Sequence, residues 1–121
     1  MHVLQLEDDN PLREIMKVAL VAMRPDIVLK QFVNSDDALA YITEHVHDID
    51  LFILDIRVPG SMDGVTVAQK IRELGCPGII AITSAYRRPD RKRLAELDCQ
   101  WLAKPWHVME VMDKLLPKIG S

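Results

Sequence analysis

Two short segments of this chain consist of apolar residues without interruption, LFIL at 51–54 and GIIAI at 78–82. A strand that is apolar on both faces is typical of the centre of a parallel sheet, whereas a strand with one face in water alternates apolar and polar residues. Three further β-rich segments occur along the chain, at 2–6, 27–32 and 100–103. Together these segments predict a five-stranded parallel sheet.

Segments with helical spacing of apolar residues alternate with the predicted strands. Pro11 suits the first turn of a helix over 11–23, and Asn10 or Asp9 is its expected cap. Ser35 is the predicted cap of the second helix. Alternation of this kind predicts an α/β fold, in which a doubly wound, flavodoxin-like parallel sheet of strand order 2-1-3-4-5 carries helices on both faces. The helices after the first are predicted over 35–46, 64–74, 89–97 and 106–116.

Composition restricts the class of protein. The chain has 121 residues, and we expect 1–121 to form a single domain. Its net charge of −3 does not predict a nucleic-acid-binding surface, and no apolar stretch approaches the length of about 18 residues that a membrane span needs. The two cysteines lack the spacing of a redox or metal motif, and the N-terminus lacks signal-peptide features. We therefore expect a cytoplasmic protein without direct nucleic-acid or membrane partners.

Polar and charged residues follow four of the predicted strands at the points where the strands end. Ligands of open α/β sheets bind beyond the carboxyl ends of the strands. The second strand is followed only by residues typical of a helix cap, and it would lie at the edge of the sheet in the predicted order. The sequence thus predicts one site that combines carboxylates, a hydroxyl and an ammonium group. Glu7 and Asp8 follow the first strand, Asp55 the third, Thr83 the fourth and Lys104 the fifth.

These side chains suit a phosphoryl group that is bound next to a cation. Carboxylates within a few Å of one another raise each other's pKa unless a cation lies among them, and hard oxygen ligands favour Mg²⁺. The Lys104 ammonium and the Thr83 hydroxyl can bind two phosphoryl oxygens while a metal binds a third. Asp55 is then the candidate nucleophile, which would form an aspartyl-phosphate.

Four motifs in this order resemble the receiver domain of response regulators from bacterial two-component systems, and the resemblance covers essentially the whole chain. The motifs are VLQLEDD, LFILDIRVPGSMDG, IIAITSA and WLAKPW. The resemblance implies that Glu7 and Asp8 organise Mg²⁺. It also implies that Asp55 both binds the metal and accepts the phosphoryl group.

The resemblance assigns further roles around this group. The backbone carbonyl of Arg57 would also bind the metal. Thr83 would bond one phosphate oxygen and move toward it as part of the switch, and Lys104 would pair with another oxygen. Trp101 lies where the family has its switch aromatic, usually Tyr or Phe, and the peptide bond between Lys104 and Pro105 would be cis.

Three residues depart from the pattern of the family. Ser61 makes the loop PGSMDG one residue longer than the commoner PGMDG, Arg57 stands where Met or Asn is frequent, and Trp101 is bulkier than Tyr or Phe. We expect the Arg57 side chain to alter the lifetime of the phosphorylated form and Trp101 to limit the amplitude of the switch. The assignment of Asp55 is unaffected by these departures.

The resemblance implies a signalling switch that catalyses only its own phosphorylation and dephosphorylation and is not otherwise an enzyme. A sensor histidine kinase or a phosphotransfer protein would supply the phosphoryl group, and the surface at 87–116 would contact a target protein or form a homodimer. Two alternatives remain: a receiver cut from a longer regulator with a DNA-binding or enzymatic output domain, and a pseudo-receiver that binds without phosphorylation. A magnesium-dependent phosphatase is disfavoured, because Arg57 stands where such enzymes carry a second acid.

Overall fold

The computed structural model describes residues 1–85 and 88–104, and strands alternate with helices throughout that part of the chain. The predicted helix at 106–116 lies outside the described residues. The strands are β1 His2–Leu6, β2 Val28–Phe32, β3 Leu51–Asp55, β4 Ile79–Ser84 and β5 Cys99–Ala103. The helices are α1 Asn10–Met23, α2 Ser35–Glu44, α3 Gly64–Glu73 and α4 Arg91–Glu96.

The five strands form one sheet in the order β2-β1-β3-β4-β5, and every neighbouring pair is parallel. This arrangement confirms the predicted topology, including the position of β2 at an edge. Every residue of β3 is buried, as the uninterrupted apolar run LFIL predicts for a strand that is covered on both faces. The strand order brings the ends of β1, β3 and β4 side by side, with β5 next to β4.

Two hydrophobic cores lie on opposite faces of the sheet, because successive side chains of a strand point to opposite faces. On one face α1 contributes Met16 and Leu20 to a core with Val3, Leu51 and Ile53. On the other face α2, α3 and α4 pack against alternate residues of the same strands. The larger core includes Leu4, Leu6, Ala38, Ile42, Phe52, Leu54, Val67, Ile71, Ile80, Ile82 and Leu94.

Side-chain caps fix where the helices begin. Asp9 caps α1, since its carboxylate accepts a hydrogen bond from the backbone of the first turn, and this selects one of the two predicted caps. The predicted cap of α2 is wrong. Asn34 rather than Ser35 caps this helix, because the Asn34 side chain accepts from the Asp37 N–H at 2.9 Å. Ser35 is instead the buried first residue of α2.

One arginine joins two chain segments at the amino ends of β4 and β5. Arg72, in the last turn of α3, donates four hydrogen bonds to backbone carbonyls. Its Nη1 donates to Cys76 and Gly78 at 2.9 and 2.8 Å. Its Nε and Nη2 donate to Leu97 and Asp98 at 2.7 and 2.9 Å, just before β5 begins. The guanidinium therefore links α3 to the chain that leaves α4.

The loop between β3 and α3, residues 56–63, is closed at its base. The Ile56 N–H donates to the Thr83 carbonyl at 3.0 Å, and the Gly64 N–H donates to the Ile56 carbonyl at 3.0 Å. A Cβ at Gly64 would collide with the Asp55 carbonyl oxygen, so only glycine allows this approach of α3 to the end of β3. The base of the loop is thus tied directly to the end of the strand.

A polar aromatic group lies at the other end of the sheet, around His2. The Tyr41 hydroxyl and His2 Nε2 are 2.9 Å apart, and the Tyr41 ring stacks on His45 with ring centroids 4.2 Å apart. Burial lowers the pKa of His2, and the neighbouring His45 lowers it further, while Asp48 and Asp50 oppose the shift. His2 is therefore held in its neutral form more strongly than a free histidine.

Cys76 and Cys99 are both free thiols, and burial raises the pKa of Cys99 to about 11, which makes its thiolate scarce at neutral pH. Within residues 1–85 and 88–104, the structure contains no helix of the length and apolar character that crossing a membrane requires.

Candidate functional site

The predicted site residues come together at the carboxyl edge of the sheet. Glu7 directly follows β1, Asp55 is the last residue of β3, and Lys104 directly follows β5. β4 extends two residues beyond its predicted end at Ile82, so Thr83 lies within the strand rather than after it. The register of β3 and β4 pairs Asp55 with Thr83, which places the threonine directly beside the aspartate.

Lys104 is the centre of the charge arrangement. Its Nζ donates to Glu7 Oε1 at 2.6 Å and to Asp55 Oδ2 at 2.8 Å. The side chains of Lys104, Glu7 and Asp55 expose only 13%, 2% and 8% of their surfaces, so these contacts are largely shielded from water. Charge-assisted hydrogen bonds of this length are among the stronger polar contacts in proteins. One ammonium therefore holds two acids from different strands at one point.

Burial governs the protonation of this cluster. It raises the pKa of the Glu7 carboxyl to about 7; the hydrogen bond from Lys104 opposes this shift, and the Asp55 charge adds to it. Burial alone would lower the pKa of Lys104, but its hydrogen bonds to Asp55 and Glu7 raise that pKa above its ordinary value. The expected repulsion between carboxylates thus contributes to the raised pKa of Glu7, but burial contributes more.

A third acid completes a group that can hold a metal ion. Glu7, Asp8 and Asp55 each offer a carboxylate oxygen, and these oxygens all lie within 4.8 Å of one another. Asp8 is exposed while the other two acids are buried, so the group combines protein oxygens with access for water. Mg²⁺ binds oxygen ligands in an octahedron and keeps several waters, which fits this donor set. Asp8, Asp55 and Lys104 also line a cavity of about 210 Å³.

Two interactions that the sequence analysis missed orient Glu7. The Asp9 N–H donates to Glu7 Oε2 at 3.2 Å, and Arg13 Nη1 donates to the Glu7 carbonyl at 2.8 Å. Arg13 lies in the first turn of α1 and also donates to Asn10 Oδ1. No sequence motif predicts these two contacts, because each uses a backbone group, which every residue type carries.

The remaining predicted site residues lie around this cluster. Arg57 is exposed and lines the 210 Å³ cavity together with a larger depression of about 670 Å³ on the loop 56–63. Trp101 is half-buried on β5, opposite Ile82, and packs against the larger core. Pro105, and with it the predicted cis bond after Lys104, lies outside the described residues. The structure therefore brings the acids, the lysine and the threonine together. Trp101 lies on β5, the strand next to the one that carries Thr83.

The strand order defines a flavodoxin-like α/β domain. The acidic pocket with its lysine lies at the carboxyl edge of the sheet, where such domains bind ligands. The family model described as the response regulator receiver domain matches residues 3–116. The chain belongs to this family, whose members are signalling switches of two-component systems. Receiver domains bind Mg²⁺ at an acidic pocket, and they interact with histidine kinases or phosphotransfer proteins.

Solved structures support the same fold. A DNA-binding response regulator of the LuxR family from Staphylococcus aureus is 27% identical, with a TM-score of 0.77 over 93% of this chain and 92% of that one. The signal receiver domain of the putative response regulator NarL from Mycobacterium tuberculosis is 25% identical, with a TM-score of 0.77 over 97% and 94%. The receiver domain of the histidine kinase CKI1 from Arabidopsis thaliana, complexed with Mg²⁺ and BeF₃⁻, is 18% identical, with a TM-score of 0.76 over 97% and 87%.

Proposed function

We propose that this chain is a phosphoacceptor switch in which Asp55 receives a phosphoryl group from a sensor histidine kinase or a phosphotransfer protein. The observation that carries the proposal is the position of the Lys104 ammonium, 2.6 Å from Glu7 and 2.8 Å from Asp55. An ammonium fixed beside the acceptor carboxylate can bind an oxygen of the arriving phosphoryl group without further rearrangement of the sheet. The exposed Asp8 leaves this pocket open to a metal ion and to water.

Phosphoryl transfer to Asp55 uses the side chains of Lys104 and Thr83. An oxygen of the Asp55 carboxylate attacks phosphorus, the bond from phosphorus to the donor's histidine nitrogen breaks, and an acyl phosphate forms. The electron pair of the broken bond stays on the imidazole nitrogen, which takes up a proton. Lys104 pairs with one phosphoryl oxygen, and the hydroxyl of Thr83, the register partner of Asp55, donates to another.

The metal ligands in this proposal are Glu7, Asp8, Asp55 and the backbone carbonyl of Arg57. Mg²⁺ at this place would neutralise the charge that develops on the phosphoryl oxygens and would hold the group in line with Asp55. The donor set supports this role, because three carboxylate oxygens lie within 4.8 Å of one another. The Arabidopsis receiver was solved with Mg²⁺ and BeF₃⁻, an anion similar in shape to a phosphoryl group, and the same pair of ligands is expected to bind here.

The switch would act through β4 and β5. Thr83 pairs with Leu102 in the register, next to Trp101, so a movement of Thr83 toward the phosphoryl group acts on the strand that carries the aromatic. We propose that α4, β5 and the following segment then change their surface, over 87–116, toward a target protein or a second copy. Part of this surface lies outside the described residues. A single domain over 1–121 is part of this proposal, with a receiver from a longer regulator as the alternative.

Incubation with acetyl phosphate and Mg²⁺ tests the proposal. Intact-mass measurement is expected to show the gain of one phosphoryl group in the wild type and in Asp37→Asn, which alters an exposed acid of α2. Asp55→Asn and samples with excess EDTA should show no gain. Absence of the gain in the wild type, under conditions that modify another receiver, would favour the pseudo-receiver alternative and contradict the proposed function.

A further inference from the structure

The loop that leaves Asp55 is attached to the first turn of α2. The Ser61 N–H donates to Asp36 Oδ2 at 2.9 Å, and the Ser61 hydroxyl donates to the other carboxylate oxygen of Asp36. By resemblance to the family, Ser61 is the residue that lengthens this loop beyond the commoner PGMDG form. Both hydrogen bonds lower the pKa of Asp36, so its carboxylate remains ionised at neutral pH. The extra residue of the loop is therefore used for a contact with α2.

Two further hydrogen bonds lie beside this contact. The Ser35 N–H donates to the Pro59 carbonyl at 2.9 Å, and the Met62 N–H donates to the Ser35 hydroxyl at 3.3 Å. Gly60, between them, has a φ of 121°, and a Cβ there would collide with the Ser35 hydroxyl. The loop thus lies too close to α2 for a side chain at position 60, and Ser35 is fully buried.

This attachment bears on the proposed metal site because of where Arg57 lies. Ile56 is held on one side by its hydrogen bond to the Thr83 carbonyl, and Pro59 is held on the other by Ser35. The carbonyl of Arg57, the proposed backbone ligand, lies between these two fixed points. Mg²⁺ requires near-ideal octahedral geometry with ligand distances of about 2.0–2.1 Å, so a small displacement of one ligand weakens binding.

We propose that Asp36 is a positioning residue of the magnesium site: it holds Ser61 two residues beyond Pro59, supports the hydrogen bond between Pro59 and Ser35, and thereby keeps in place the segment that carries the Arg57 carbonyl. This inference rests on the proposed function, since it takes the Arg57 carbonyl as a ligand. Asp36 itself does not touch the metal. Its partner Ser61 contributes a second variant for the test, because the hydroxyl can be removed while the N–H donor remains.

The chain offers a matched control. Asp37 lies next to Asp36 in the first turn of α2 and is exposed, but its Oδ2 accepts from the Asn34 side chain instead of the loop. Asp36→Asn and Asp37→Asn therefore remove the same charge from the same helical turn. Ser61→Thr keeps both donors, whereas Ser61→Ala keeps only the N–H.

Mg²⁺ affinity is measured by calorimetric titration of each intact variant at constant ionic strength, with urea unfolding as a check on global stability. Loss of charge-assisted hydrogen bonds predicts that Asp36→Asn weakens Mg²⁺ binding by about three- to tenfold and Ser61→Ala by a smaller factor. Asp37→Asn and Ser61→Thr should bind Mg²⁺ like the wild type. A merely structural role would lower stability without this pattern of Mg²⁺ affinity.

The outcomes separate the two proposals. A wild type that binds Mg²⁺ and is phosphorylated, with Asp36→Asn matching Asp37→Asn in Mg²⁺ affinity, would overturn the positioning role and leave the proposed function standing. A wild type that does not bind Mg²⁺ would overturn both. Amide hydrogen exchange adds a direct readout of the contact. The Ser61 N–H should be less protected in Asp36→Asn, whose single amide oxygen is uncharged and cannot take both oxygen positions of the carboxylate, than in Asp37→Asn.

Discussion

The Lys104 ammonium lies 2.6 Å from a carboxylate oxygen of Glu7, a residue 97 positions earlier in the chain. The pair joins β1 to β5 across the carboxyl edge of a sheet in which these strands are separated by β3 and β4. Both partners are largely buried, so the attraction between them is only weakly screened by water. This contact ties the stability of the fold to the charge state of the site.

Lys104→Met should therefore destabilise the protein in a way that Mg²⁺ reverses. Removing the cation leaves Glu7 and Asp55 as uncompensated buried acids, and we expect a loss of about 2–4 kcal/mol in the free energy of unfolding. Urea denaturation with and without Mg²⁺ measures this loss, and Lys17→Met on the exposed face of α1 is the control. Equal destabilisation by both substitutions, or a loss that Mg²⁺ leaves unchanged, would contradict this account.

Arg57→Ala should shorten the lifetime of the phosphorylated form. Arg57 lines the same cavity as Asp55 and Lys104. We therefore expect its side chain to restrict the approach of water to the proposed acyl phosphate. We expect hydrolysis to be about three- to tenfold faster, equal to ~1 kcal/mol in activation free energy. The decay of phosphoprotein after removal of the donor measures the rate, with Arg91→Ala as control. Equal decay in wild type and Arg57→Ala would rule out this role.

Arg72→Met should lower stability without abolishing phosphorylation. The substitution leaves four backbone carbonyls without their charged donor, and we expect a loss of about 2–4 kcal/mol. These carbonyls lie at the amino ends of β4 and β5, far along the strands from Asp55. Urea denaturation measures the loss, and Arg91→Met, on the exposed side of α4, is the comparison. A phosphorylation defect at temperatures where the variant is folded would contradict a purely structural role for Arg72.

The lowered pKa of His2 predicts a pH dependence of stability with a defined sign. Because the folded state holds His2 neutral, the unfolded chain binds more protons once the pH falls below its ordinary pKa of about 6.5. The stabilising contribution of neutral His2 is fully present above that pH and is lost as the pH falls through the lowered pKa of the folded state. Acidification should therefore weaken the wild type more than His2→Gln.

Comparing the wild type with His2→Gln separates the effect of His2 on the pH dependence of stability from that of Glu7. Burial raises the pKa of Glu7 to about 7, so that carboxyl favours the folded state as the pH falls and has the opposite sign. Unfolding free energies of the wild type and His2→Gln, measured between pH 5 and pH 8 (a window of about 3 units around these values), give the difference directly. His47→Gln, which alters an exposed histidine, is the control. A constant difference across this range would contradict the prediction.

The sequence was sufficient to predict the order of the sheet and the edge at which Glu7, Asp55 and Lys104 meet. Hydrophobic periodicity predicts which segments are strands, and parallel strands must place their carboxyl ends at one edge, so Glu7, Asp55 and Lys104 could be brought together without coordinates. The predicted boundaries were less accurate. The apolar run predicts that β4 ends at Ile82, because hydroxyl residues do not continue such a run, but Thr83 and Ser84 belong to the strand.

Contacts made by polar residues with distant backbone were not predictable. Ser35 is a plausible cap by sequence, because Ser and Asn are both good N-terminal caps. Only the approach of the loop shows that the Ser35 hydroxyl accepts from Met62 instead. From the sequence, Arg72 looks like an ordinary exposed residue of a helix. Its four acceptors are backbone carbonyls, which occur in every residue type and so leave no trace in the sequence. Asp36 and Ser61 are 25 residues apart, and no local rule relates them.

The closed base of the loop between β3 and α3 bears on how such domains diversify. Ile56 is bonded to Thr83 and Gly64 to Ile56, so the segment between them can gain or lose a residue while both of its ends remain in place. By resemblance to the family, Ser61 is an added residue of this kind, and the hydrogen bonds at both ends of the loop remain in place beside it. Sequence length can therefore vary beside the acceptor at little cost to the strand that carries it. A longer segment grafted between Ile56 and Gly64 would therefore leave β3 in place, but it would disturb the contact between Ser61 and Asp36 that the proposed metal site uses.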